Sequence, residues 1–179
     1  MGESNRYLDL FTEDFGLVRG IAQGVRKLES KLRYGLQDLS YSKLSLVKGR
    51  EVWRIVNVEK LNVFDQIVKD KKRVELTSRI FSLVRRLVRG EEKDSELFND
   101  VNSALFLMAT NDLVDKDLKN FEAVLVYRIL HRLGYIPESL QLSPVVIFDE
   151  WRLESFNIDS YVRTAMVRQI NDSLLHSHL

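Results

Sequence analysis

Tyr7-Leu8-Asp9-Leu10-Phe11-Thr12, then Asp14-Phe15-Gly16, then Leu17-Val18-Arg19-Gly20-Ile21-Ala22 decide how the whole chain is read. In an extended strand, Leu8 and Leu10 fall on one face and Tyr7, Asp9 and Phe11 on the other, the alternation of a half-buried strand. Asp14-Phe15-Gly16 supplies a turn, and residues 17–22 predict a second strand. A basic stretch without clean alternation follows, Gly24-Val25-Arg26-Lys27-Leu28-Glu29-Ser30-Lys31-Leu32-Arg33. Residues 39–58 predict a hairpin turning at Lys48-Gly49-Arg50, where glycine is free to take positive φ. Leu44 and Leu46 share one face of its first strand, and Val52, Val56 and Val58 share one face of its second.

After Leu61 the period becomes helical. Leu76, Ile80, Leu83, Val84 and Leu87 form an i, i+4, i+7, i+8, i+11 stripe, with Arg79, Arg85, Arg86 and Arg89 off it. Leu97, Val101, Ala104, Leu105 and Met108 make a second stripe. Leu118, Phe121, Leu125, Ile129 and Leu133 make a third, stopped by Gly134 and Pro137. Asp159 can cap a last helix whose inward face is Val162, Met166, Ile170 and Leu174. Residues 139–156 read ambiguously, with a possible short strand at Pro144–Phe148. Strands followed by helices give an α+β chain: a small antiparallel β-barrel at residues 1–60 and a helical domain at 61–179. Four strands are one short of the five that a small closed barrel wants.

Composition narrows the function. The chain has 179 residues, 45% of them hydrophobic, and no cysteine. Disulfides, thiolate zinc sites and cysteine nucleophiles are therefore excluded. No run of about 18 uncharged apolar residues is present to span a membrane. The first residues lack the basic-then-apolar pattern of a signal peptide, so a cytoplasmic protein is expected. The three histidines, His131, His176 and His178, form no ligand cluster. Neither a nucleophile elbow, a phosphate-binding glycine loop nor a His-Glu-x-x-His motif occurs. No enzyme, metal or cofactor is expected.

Charge is segregated. Residues 1–93 hold 20 Lys and Arg against 13 Asp and Glu, and residues 94–179 hold 7 against 13. Residues 19–54 are the most basic, with Arg19, Arg26, Lys27, Lys31, Arg33, Lys43, Lys48, Arg50 and Arg54 interleaved with Tyr34, Tyr41 and Trp53. Cations for phosphates and rings for bases are what sequence-tolerant binding of single-stranded nucleic acid requires. The competing reading is a solvated basic face with the aromatics in the core, and for Trp53 burial is the expectation.

Several segments, in order, resemble the bacterial recombination mediator RecO family. They are Gly2-Glu3-Ser4-Asn5-Arg6-Tyr7-Leu8-Asp9-Leu10-Phe11-Thr12, Phe15-Gly16-Leu17, Gly24-Val25-Arg26-Lys27, Ser30-Lys31-Leu32-Arg33, Lys48-Gly49-Arg50 and Leu130-His131-Arg132-Leu133-Gly134-Tyr135. The resemblance implies an oligonucleotide-binding barrel followed by a helical domain. The implied work in DNA repair and recombination is to bind and anneal single-stranded DNA, contact single-stranded DNA-binding protein, and act with RecR to load RecA. Many members carry a four-cysteine zinc module, which here gives way to residues 137–156. Members usually have a strand ahead of the Gly-Glu-x-x-Arg segment, so the first barrel strand is the one not found. An open edge is then expected to pair with another chain or aggregate, unless residues 1–6 or 23–37 fold over the gap. Arg128 and Arg132, four apart on one helical face beside Leu125 and Ile129, are the candidates for the protein contact. The alternative reading is a helical adaptor whose degenerate barrel binds no nucleic acid.

Overall fold

The computed structural model describes residues 5–26, 30–88, 90–137, 142 and 148–176. Four strands, β1 (Arg6–Thr12), β2 (Gly16–Ala22), β3 (Tyr41–Lys48) and β4 (Trp53–Leu61), form one sheet in the order β1-β2-β4-β3. β1 and β2 make one antiparallel hairpin and β3 and β4 another. The hairpins meet in a short parallel seam, Gly20 against Trp53 and Ile21 against Arg54. The sheet is therefore mixed where an antiparallel barrel was expected. The physical reason is the strand order: β3 lies between β2 and β4 in sequence but beyond β4 in the sheet, so β4, antiparallel to β3, runs parallel to β2.

Alternation sorts the strands as the sequence suggests, with one exception. Leu8, Leu10, Leu44 and Leu46 point inward onto a small core of Ala22, Val25, Leu36 and Ile55. In β4 the expected face Val52, Val56, Val58 does not form. Ser45 pairs with Asn57 but Leu46 pairs with Ile55, so Val56 is an extra residue. Such a bulge reverses side-chain parity along the strand. Ile55 and Val58 thus face inward while Val56 stays 47% exposed.

β1 and β3 are the two edges of the sheet. Their inward leucines, Leu8, Leu10, Leu44 and Leu46, are only half-buried, whereas Ala22 and Ile55 on the central strands are buried. The opening thus lies between β1 and β3, where a fifth strand would close the barrel. The segment after β2 covers part of it. Val25, Leu32 and Leu36 enter the barrel core. Gly35 lies so close to Val58 that a Cβ there would come within 2.5 Å of its Cγ2. Arg6 donates to the Leu36 carbonyl at 2.9 Å and pairs with Asp38 at 2.5 Å. The Gly24 N–H donates to Asn5 Oδ1 at 3.0 Å.

After a 3-10 turn at Asn62–Phe64 come α1 (Asp65–Lys69), α2 (Lys71–Leu87), α3 (Ser95–Thr110), α4 (Asp115–Arg132), a second 3-10 turn at Leu153–Phe156, and α5 (Ser160–His176). Asp70 caps α2 by accepting from the Lys72 and Arg73 N–H groups, and Asp94 caps α3 through Leu97. Asp159 caps α5 as expected, accepting from Val162 at 2.8 Å. The helical stripes bury together, with Ile80, Val84, Leu97, Phe121, Leu125, Ile129 and Met166 at most 1% exposed. Of the possible strand at Pro144–Phe148, residues 144–147 lie outside the described residues, and Phe148 is not in a strand.

Sheet and helices interlock at two places. Phe11 leaves the outer face of β1 to pack on Phe81 of α2 and Phe98 of α3, at centroid distances of 6.4 and 5.4 Å. The loop after α2 docks on the hairpin turns: Glu91 accepts from Trp53 Nε1 at 2.8 Å and Lys48 at 2.9 Å, and Lys93 pairs with Asp14 at 3.1 Å. Gly16, at φ +62°, sits against this loop. A Cβ there would lie 2.1 Å from the Glu92 carbonyl oxygen, so no other residue fits without moving backbone.

Inside the helical part, Arg128 makes a fork to Asp100, with Nε to Oδ2 at 2.9 Å and Nη2 to Oδ1 at 2.6 Å. Trp151 Nε1 adds a third bond to Asp100 at 2.8 Å, and the Arg128 guanidinium lies 4.0 Å from the Phe148 ring centroid. The pair is buried, with side-chain exposures of 11% for Arg128 and 7% for Asp100. Removing one partner of such a pair strands the other's charge. Asp100→Ala should therefore cost about 3–5 kcal/mol in urea unfolding. Asp100→Leu together with Arg128→Leu should cost clearly less than that single change.

The open edge is tested by filling it. A segment of alternating apolar residues as long as β1, seven residues, joined ahead of the chain by a flexible linker, should raise the thermal midpoint. It should also slow amide exchange on the outer edges of both β1 and β3. Unchanged exchange on both edges would mean that no gap is there to fill.

Candidate nucleic-acid interface

The outer face of the sheet collects three of the expected cations. Arg19 on β2, Arg54 on β4 and Lys43 on β3 are all exposed. Register sets their neighbours: Asp9 stands opposite Arg19, Tyr7 opposite Ile21, and Ile21 beside Arg54, which in turn faces Val47. The Arg19 guanidinium lies 5.3 Å from the centroid of the Tyr7 ring. Tyr7, Val47 and Val56 are 47%, 45% and 47% exposed. The face thus alternates charge with flat or branched apolar surface, the arrangement on which a single strand can lay phosphates and bases.

The other cations stand elsewhere. Arg26, Lys31 and Arg33 are exposed on the segment that enters the barrel end, and Lys27 lies outside the described residues. Arg50 is exposed at the β3–β4 turn. Lys48, at the same turn, binds Glu91 and lies 5.2 Å from the Trp53 ring centroid. Hydrogen bonds from Lys48 first, and from Trp53 second, hold the Glu91 carboxyl below the usual carboxylate range. Lys48 is therefore engaged in joining sheet to helices.

The aromatic rings divide in the same way. Trp53 is buried, as its place in a strand predicts, stacking on Phe15 at 4.8 Å and anchored by Glu91. Tyr41 packs on Phe64 at 5.2 Å and is half-buried. Tyr34 is 63% exposed, with Lys60 Nζ 5.0 Å from its ring centroid. Tyr7 was not among the expected rings, although its place on the strand face opposite Leu8 and Leu10 carried the signal.

The two arginines named for the protein contact, Arg128 and Arg132, stand differently. Leu125 and Ile129 are wholly buried, and Arg128 is drawn inward by Asp100. The reason is the third partner, Trp151, whose N–H and ring complete a buried site for the pair. Arg132 remains exposed and pairs with Glu96. Among the described residues, no group of three or more His, Asp or Glu side chains is placed to hold a metal. No described helix is long and apolar enough to cross a membrane.

Residues 1–64 match the family model "Recombination protein O N terminal". The chain is 30% identical over 126 residues to DNA repair protein RecO of Alkaliphilus metalliredigens, covering 70% of this chain and 51% of the relative. It is 33% identical over 139 residues to that of Heliobacterium modesticaldum, covering 76% and 48%. With that of Trichodesmium erythraeum it shares 28% identity over 172 residues, covering 89% and 59%. The chain spans about half the length of the relatives it matches. With an oligonucleotide-binding-type N-terminal sheet followed by helices, and matches that run from the sheet well into the helical part, the chain belongs to the RecO family.

Proposed function

We propose that the chain acts in DNA repair as a recombination mediator without catalytic activity of its own. In this reading it binds and anneals single-stranded DNA and helps to load RecA, in concert with single-stranded DNA-binding protein and RecR. The observation that carries the DNA-binding part is the outer sheet face, where Arg19, Arg54 and Lys43 surround exposed apolar surface and Arg19 lies over Tyr7. Arg26, Lys31, Arg33 and Arg50 extend the positive surface around the barrel end and turn, Lys27 is proposed to act with them, and Lys48 contributes once Glu91 releases it. The work is electrostatic and stacking: cations displace counterions from phosphates while rings accept bases of any sequence.

Fluorescence anisotropy with a labelled single strand at several salt concentrations tests this. Each lost phosphate contact lowers the salt slope for single strands by about 0.7. Arg19→Ala with Arg54→Ala should therefore lower it by about 1.4 and weaken binding to all sequences alike. Tyr7→Ala should weaken binding by about 1–3 kcal/mol with the slope unchanged, as the loss of a stacking ring does. Full affinity in these variants and in the fourfold Arg26, Lys27, Lys31, Arg33→Ala variant would favour the adaptor reading.

For the protein contact, Arg132 is the member of the expected arginine pair that stands at the surface. A peptide with an acidic tail ending in an aromatic carboxylate should bind several-fold more weakly to Arg132→Ala, since an arginine–carboxylate pair is lost. Equal binding to both proteins would remove Arg132 from the contact.

A further inference from the structure

The exposed side of α2 carries a second basic surface that the sheet site does not include. Ser78, Ser82, Arg85 and Arg86 follow an i, i+4, i+7, i+8 pattern, opposite the buried stripe Leu76, Ile80, Val84 and Leu87. With Arg79 and Leu83 they line a shallow recess. Arg79 is held flat by a fork to Glu122 of α4, at 2.6 and 2.8 Å. Arg86 has no ion-pair partner among the described residues and is exposed. Arg85 is 65% exposed and reaches only Asp9, at 3.6 Å.

Asp9 connects the two surfaces, because it stands opposite Arg19 in the β1–β2 register. The two surfaces adjoin at Asp9, which lies 3.6 Å from Arg85 and opposite Arg19, itself over Tyr7. From Arg86 to Ser78 the helix adds about 12 Å of track at 1.5 Å per residue. Arg86 and Ser82 present donors to solvent, and Arg85 stays 65% exposed beside Asp9; groups of this kind suit the oxygens of successive phosphodiesters. Of the six residues lining the recess, five are serine or arginine, and Leu83 is half-buried.

We infer that the α2 face formed by Ser82, Arg85 and Arg86 is a phosphate-binding extension of the sheet site, guiding single-stranded DNA off the barrel and along the helical part. The inference rests on the reading that the outer sheet face binds single-stranded DNA. Asp9 marks the crossing point, where it keeps Arg85 turned toward the sheet.

The test uses the full chain and two labelled oligonucleotides, one short enough to cover only the sheet face and one several nucleotides longer. The triple variant Ser82→Ala, Arg85→Ala, Arg86→Ala should bind the long strand about tenfold more weakly, with a salt slope about 1.4 lower. The short strand should bind as before. Arg86→Glu alone should show the same length-selective loss, with the thermal midpoint unchanged in each case because these side chains are exposed. If Arg19→Ala with Arg54→Ala weakens both strands while the α2 variants bind both normally, the helix extension is wrong and the sheet site stands. Equal losses on short and long strands would also overturn the extension. No binding of either strand by the unaltered chain would overturn the sheet reading, and the extension with it.

Discussion

Phe11 is the contact on which the arrangement depends. It belongs by alternation to the outer face of β1, yet its ring is wedged between Phe81 of α2 and Phe98 of α3. A four-stranded sheet with two open edges has little to keep its hairpins in place. Aromatic packing at one end of β1 transfers that burden to the helical core, beside which Gly16 and Glu91 complete the junction. The outer face beyond Phe11 is thereby left open. Tyr7 and Arg19 point to solvent on the same side where Phe11, four residues along, is packed away.

The cations of the chain sort into three physical roles that composition alone does not separate. Lys48 and Lys93 join sheet to helices through Glu91 and Asp14. Arg73 and Arg128 are built into the helical interior, Arg73 donating to the carbonyls of Met108 and Asn111. Arg19, Arg54, Lys43, Arg85 and Arg86 are left at the surface. The excess of positive charge in the first half of the chain thus overstates the number of groups free to meet a polyanion. The groups that remain are concentrated on the sheet face and the adjoining helix.

Much of this was legible in the sequence, because period-2 and period-3.6 patterns follow directly from which side is buried. The four strands, the four long helices, the Asp159 cap and the burial of Trp53 were all readable in that way. Two features were not. The β4 bulge is set by pairing with β3, and one unpaired residue turns Val56 away from the inward face that Val58 keeps, without any trace in β4 itself. Arg128 looks like a surface residue on a helix of otherwise apolar neighbours. Its burial is decided by Asp100 and Trp151, which lie 28 and 51 positions from their partners in that cluster. Long-range pairing is where single-sequence reasoning has least purchase. Tyr7 is a different case, since its strand parity was visible and only its value as an exposed ring beside Arg19 was not.

The seam between the two hairpins has a kinetic consequence. Each hairpin closes through near neighbours, but Gly20–Trp53 and Ile21–Arg54 unite segments about thirty residues apart through only two paired positions. Local hairpins form in microseconds, whereas contacts between distant segments wait on a costly chain closure. Union of the two hairpins is therefore slower than the closing of either one, and the joined sheet is held by Phe11 against α2 and α3 and by Trp53 through Glu91.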